Sequence, residues 1–157
     1  MNSMPLWIVD TNVVVSGLMS NDPESPTALI LDEMLSGAMV FVLSPALLAE
    51  YRAVLLRPAI TKRHGLSEPE IDQILIELTA NAKWSEPEDD GVHTAPDIGD
   101  AHLWALLCGY PEAKLVTGDR LLVNNPRPGS RVVLPAEYKN PQEARNLLNQ
   151  LAKAYAI

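Results

Sequence analysis

A three-layer α/β/α fold around a central, mostly parallel sheet is what this sequence predicts, and three observations lead to it. Short, continuous apolar runs such as Leu6-Trp7-Ile8-Val9 and Met39-Val40-Phe41-Val42-Leu43 read as strands buried on both faces. They alternate with helical patterns along the whole chain, which implies crossover connections and helices on both faces of the sheet. Two of the runs also end on a carboxylate with a hydroxyl beside it, in Asp10-Thr11-Asn12 and Thr117-Gly118-Asp119. The carboxyl ends of such strands are where ligand crevices form.

After the first strand, Val13-Val14-Val15 continues apolar to Ser16-Gly17, and Asn21 to Glu24 reads as a loop. Ser25-Pro26 has the cap-then-proline start of a helix, which Gly37 is placed to end. Ser44-Pro45 opens another helix after the second strand. Its buried stripe is Leu47, Tyr51, Val54 and Leu55, with Glu50 on the same side, and Pro58 ends it. A carboxylate there needs a partner or a metal if the stripe packs. Ser67 and Glu70 have capping-box spacing ahead of Ile71, Ile74, Leu75 and Leu78.

Trp84 to Pro96 reads as an exposed connection with a short edge strand near Trp84. In the helix that follows, Asp100, Leu103, Trp104 and Leu107 form one stripe, so the stripe starts with a carboxylate. Asp97, three residues earlier, suits an N-cap, a role that does not explain Asp100. The last strand is Val132-Val133-Leu134. Asn140 caps a final helix with Ala144, Leu147, Leu148 and Leu151 facing inward.

With 157 residues the chain is expected to form one domain, 1–157. The lone Cys108 excludes a disulfide framework. The longest uncharged stretch, Met34 to Ala49, is interrupted by Gly37 and Pro45 and is too short to span a bilayer, and Met1 to Pro5 do not begin a secretory signal. No membrane association and a cytoplasmic location are therefore expected. The net charge of −8 argues against loose, charge-driven attraction to nucleic acid. Arg52, Arg57, Lys62, Arg63 and His64 are clustered, either as a solvated helix face or as an anion-binding rim, in which Arg52 is a candidate substrate contact.

Four acids thus have reasons to converge: Asp10 and Asp119 at strand ends, Glu50 and Asp100 on helix faces turned toward the sheet. Carboxylates gathered in a crevice raise one another's pKa unless cations compensate. Oxygen-only donors select Mg²⁺ or Mn²⁺, while His64, His93 and His102 lack zinc-site spacing and read as solvated or core-satisfied. Such a site suits phosphoryl chemistry with water as nucleophile, since the chain has no P-loop and no G-x-S-x-G.

Asp10-Thr11-Asn12, Glu50, Asp100 and Thr117-Gly118-Asp119 match, in order, the acidic motifs of PIN-domain nucleases. The chain resembles the small stand-alone PIN proteins that act as toxins of toxin–antitoxin pairs. The resemblance implies a five-stranded parallel sheet and Mg²⁺- or Mn²⁺-dependent endonucleolytic cleavage of RNA. It also implies an antitoxin partner and a homodimer. Carried over by position, Asp10, Glu50, Asp100 and Asp119 are the catalytic, metal-binding acids, Asp97 a further candidate ligand, and Asn12 and Thr117 supporting polar groups. Two rivals remain. One is an Asp-nucleophile phosphatase, which would want a second acid where Asn12 stands; the other is a non-catalytic PIN-like binding module, which would have lost acids.

Overall fold

The strands are β1 (Leu6–Val9), β2 (Val40–Leu43), β3 (Lys83–Trp84), β4 (Lys114–Val116) and β5 (Arg131–Val133), in a computed structural model that describes residues 4–138 and 151–155. All pair in parallel, in the order β3-β2-β1-β4-β5. Ile8, Val9, Phe41, Val42, Leu43, Leu115 and Val116 are completely buried, as strands covered on both faces require. The expected α/β/α sandwich with a five-stranded parallel sheet is therefore present. The strand order reverses between β1 and β4, and a crevice opens beyond the carboxyl ends of strands at such a junction.

The residues after β1 correct the sequence reading. They form α1 (Thr11–Met19), a helix that starts immediately after Asp10. A Val-Val-Val run disfavours helix locally. Burial overrides that preference, because Val13, Val14 and Val15 all lie in the core. Gly17 lets α1 cross α2 (Pro26–Ser36) closely, since a Cβ at that position would stand 2.6 Å from the Thr27 carbonyl oxygen.

The serine caps hold as expected. Ser25 caps α2, Ser44 caps α3 (Pro45–Leu55), and Ser67 with Glu70 forms the capping box that opens the later helix over Glu68–Asn81. Pro58 does end α3, but it also begins a further helix, α4 (Pro58–His64), at the first position where proline's missing N–H costs nothing. The helix over Glu68–Asn81 is therefore α5.

Next come α6 (Ala101–Gly109), entered through a 3₁₀ turn at Ile98–Asp100, and a short α7 (Arg120–Asn124), which the sequence reading left as loop. The final helix expected from Asn140 lies mostly outside the described residues. Within 151–155 the chain is helical, and Leu151 is 45% exposed rather than turned inward.

Candidate active site

The helix and strand ends around the β1/β4 junction surround a cleft of about 460 Å³. Asp10, Glu50, Asp97, Asp100 and Asp119 all line it, together with Thr11, Asn12 and Arg57. Asp10, Glu50 and Asp119 arrive on separate pieces of backbone, while Asp97 and Asp100 share the 3₁₀ turn that leads into α6.

Asp10 leaves β1 as the N-cap of α1 and is only 4% exposed. Its Oδ1 accepts from the Thr11 amide at 2.8 Å, and its Oδ2 from Thr117 Oγ1 at 2.8 Å and Asn12 Nδ2 at 3.0 Å. Burial pushes its pKa up, against the lowering effect of the Thr117 and Thr11 bonds, and the charge of Glu50 adds to the rise. Asn12 also ties β4 to β1: its Oδ1 accepts from the Gly118 amide at 2.7 Å, and its Nδ2 reaches Thr117 Oγ1 at 3.2 Å. Gly118 suits this approach, since a Cβ there would stand 3.1 Å from Asn12 Oδ1. Thr117 Oγ1 in turn accepts from the Asp119 amide at 3.0 Å, and Asp119 Oδ1 accepts from the Leu121 amide as the cap of α7.

Glu50 sits on α3 beside Tyr51, whose buried hydroxyl donates to the Val9 carbonyl and so pins α3 to the end of β1. Burial raises the Tyr51 pKa well above its ordinary value, and the charges of Asp10 and Glu50 raise it further. The Glu50 carboxylate lies 2.5 Å from His102 Nε2 of α6. The contact is close but not aligned as a hydrogen bond, and among the described residues neither ring nitrogen of His102 has an aligned partner.

Asp97 and Asp100 divide as their spacing suggested. Asp97 Oδ1 accepts from the Gly99 amide at 2.9 Å and caps the 3₁₀ turn, while also lining the cleft. Asp100 stands at the N-cap position of α6 yet makes no capping bond. Its carboxyl is pushed up to about 6, chiefly by burial and then by the charges of Asp10, Asp97, Asp119 and Glu50.

This donor set fits a hard cation. It is all oxygen, the neighbouring acids help to raise the pKa of Asp10 and Asp100, and Thr11 Oγ1, buried on the cleft wall, has no partner among the described residues. The acids stand around the void rather than in one tight shell: among the described residues, no three of them bring ligand atoms within 4.8 Å of one another. Mg²⁺ usually keeps several waters and takes one or two carboxylates directly, which suits that spacing.

Arg52 lies elsewhere. Its guanidinium is held by Glu68 at 2.5 Å and Asp72 at 2.8 Å, and Arg57 is the member of the basic cluster that lines the cleft. Sequence reasoning missed Tyr51, His102 and Thr11. For Tyr51 the signal was a phenol on a buried stripe, which needs a partner. For His102 it was the need of Glu50 for one, which the spacing of the three histidines alone did not reveal.

A second acidic group was also missed. Ligand atoms of Asp89 and Asp90, in the connection before α6, and of Cys108, near the end of α6, lie within 4.8 Å of one another, and Arg127 sits 3.4 Å from Asp90 and 4.0 Å from Asp89.

A family model for the PIN domain matches residues 7–121, a span that starts in β1 and includes every acid of the cleft. No curated protein and no solved structure gives a match.

Proposed function

The chain belongs to the PIN-domain family, and from that premise we propose that it is a Mg²⁺- or Mn²⁺-dependent endoribonuclease, hydrolysing RNA phosphodiester bonds with a water nucleophile in the cleft of Asp10, Glu50, Asp100 and Asp119. Members of the family are generally metal-dependent nucleases. The observation that carries the reading is the arrival of these acids on one void from four separate elements, with the Asp100 carboxyl pushed up to about 6 by burial and, after it, by the charges of the others.

Asp10, Glu50, Asp100 and Asp119 would hold the ion, with Asp97 as a further candidate. When bound, it lowers the pKa of a water and offsets charge on the leaving oxygen. The chain's own residues supply the rest. Thr11, Asn12 and Thr117 fix both oxygens of Asp10, and Thr117 passes that order to the Asp119 backbone. Tyr51 fixes the helix that carries Glu50. Arg57, on the cleft wall, is the side chain placed to meet a phosphate, a role the sequence reading gave to Arg52.

The same reading makes the chain the toxin of a toxin–antitoxin pair, cytoplasmic and homodimeric. Its net charge of −8 favours a basic antitoxin peptide as partner. The test is incubation of purified protein with labelled single-stranded RNA and Mn²⁺, then with EDTA. Fragments that appear with metal, stop with chelator and are absent for Asp119→Asn support the reading. Intact RNA in Mg²⁺ and in Mn²⁺ overturns it.

A further inference from the structure

We infer that a pocket beside the cleft is a nucleobase subsite, favouring bases with an exocyclic amino group over uracil; the inference rests on the RNA-cleavage reading above. The pocket, of about 440 Å³, opens where β2 ends. Ser44 and Pro45 come from the start of α3, Glu86 and Pro87 from the chain after β3, and His102 and Ala105 from α6. It is separated from the cleft by a single side-chain pair, because His102 lines the pocket while its Nε2 lies 2.5 Å from the cleft residue Glu50. A group seated there is next to the carboxylates.

The chemistry of the walls selects among the parts of a nucleotide. Among the described residues no lysine or arginine lines the pocket, and Glu86 brings a negative charge, so a phosphate is repelled. The proline rings and Ala105 offer apolar surface to the face of a base. Among the described residues the Glu86 carboxylate has no side-chain or backbone partner, whereas the His102 ring meets Glu50 through Nε2 and leaves Nδ1 without a hydrogen bond.

An ionised carboxylate can only accept. It therefore suits the amino groups of cytosine, adenine or guanine, whereas uracil offers a carbonyl oxygen where cytosine has its amino group. A site built around such a contact rejects the analogue that leaves the contact unmade. One good contact of this kind discriminates by about ten-fold.

The experiment is a titration of ¹⁵N-labelled protein with cytidine and with uridine, following the amides of Ala46, Glu86, His102 and Ala105. It is paired with mapping of cleavage positions in a random-sequence RNA. Cytidine is expected to shift those amides and to bind about ten-fold more tightly than uridine. Glu86→Gln, on exposed chain and checked for folding by circular dichroism, should remove that difference and also flatten the base preference beside the cuts. Equal binding of the two nucleosides, or shifts confined to other amides, overturns the subsite. RNA cut without base preference by a protein that ignores both nucleosides also overturns it and leaves the nuclease reading standing. Cytidine binding at these amides by a protein that leaves RNA intact supports the subsite and removes the nuclease reading instead.

Discussion

Thr117 Oγ1 donates to Asp10 Oδ2 at 2.8 Å, joining two residues 107 positions apart across the junction of β1 and β4. The same oxygen accepts from the Asp119 amide, so one hydroxyl orients two of the cleft acids. Thr117→Val keeps the shape and removes that hydroxyl. It should lower metal-dependent RNA cleavage by about 10–100-fold, the usual cost of losing a residue that orients a ligand. Asp10→Asn and Asp119→Asn should fall below that range, with circular dichroism confirming their fold. Wild-type rates for Thr117→Val would show that the acids need no such support.

The pH dependence of stability follows from Asp100. Its folded pKa of about 6 lies above its ordinary value of 3.8, so the folded state holds the proton more tightly than the unfolded state. The stability this contributes is full below about pH 4 and is lost as pH rises through about 6. Without metal, Asp100→Asn should therefore melt progressively higher than wild type as pH goes from 4 to 7, with a constant gap above that. Differential scanning fluorimetry across the range checks it, and a gap independent of pH would contradict the raised pKa.

Metal should offset the same strain. At about 100 times its dissociation constant, Mg²⁺ or Mn²⁺ binding a single site on the folded state alone adds about 2.7 kcal/mol. Melting of wild type at pH 7.5 should rise with metal, and that of Asp100→Asn should rise much less. Equal metal responses would mean that Asp100 does not share the ion.

Tyr51→Phe deletes the hydroxyl that donates to the Val9 carbonyl. A lost buried hydrogen bond should cost about 1 kcal/mol, a fall of a few degrees in Tm for a domain of this size. Activity should fall as well, because α3 carries Glu50. Lowered Tm with undiminished kcat would show that Glu50 is placed without the tyrosine.

Arg57 and Arg52 are separable by salt. Arg57→Ala should reduce the slope of log affinity for RNA against log salt by about one, as expected for one phosphate contact. Arg52→Ala should leave the slope unchanged, since Glu68 and Asp72 already hold its guanidinium. A change in the slope from Arg52 alone would return the substrate contact to it.

What was legible in the chain was what local chemistry encodes. Ser25, Ser44 and Ser67 announced three helices because a cap and a proline or glutamate act within four residues. The apolar strands announced a covered sheet. Asp100 stood out because capping could not explain an acid on an apolar stripe, and it makes no capping bond. Less legible was α1, whose valines oppose helix until the sheet buries them. The partners of Arg52, 16 and 20 residues further along, and the meeting of His102 with Glu50 depend on how helices pack, and no short-range pattern records that.

The central place of β1 also bears on when the protein can act. Its pairing with β4 and the Thr117 bond to Asp10 both wait for residues made more than a hundred positions later. At about 5–20 residues per second, a ribosome would take roughly 5–20 seconds to go from Asp10 to Thr117. Throughout that interval Asp10 has neither the hydroxyl that orients it nor the strand that closes the cleft beside it. The cleft is therefore complete only after β4 has been made and paired, so the order of the strands sets the earliest moment at which its acids can work together.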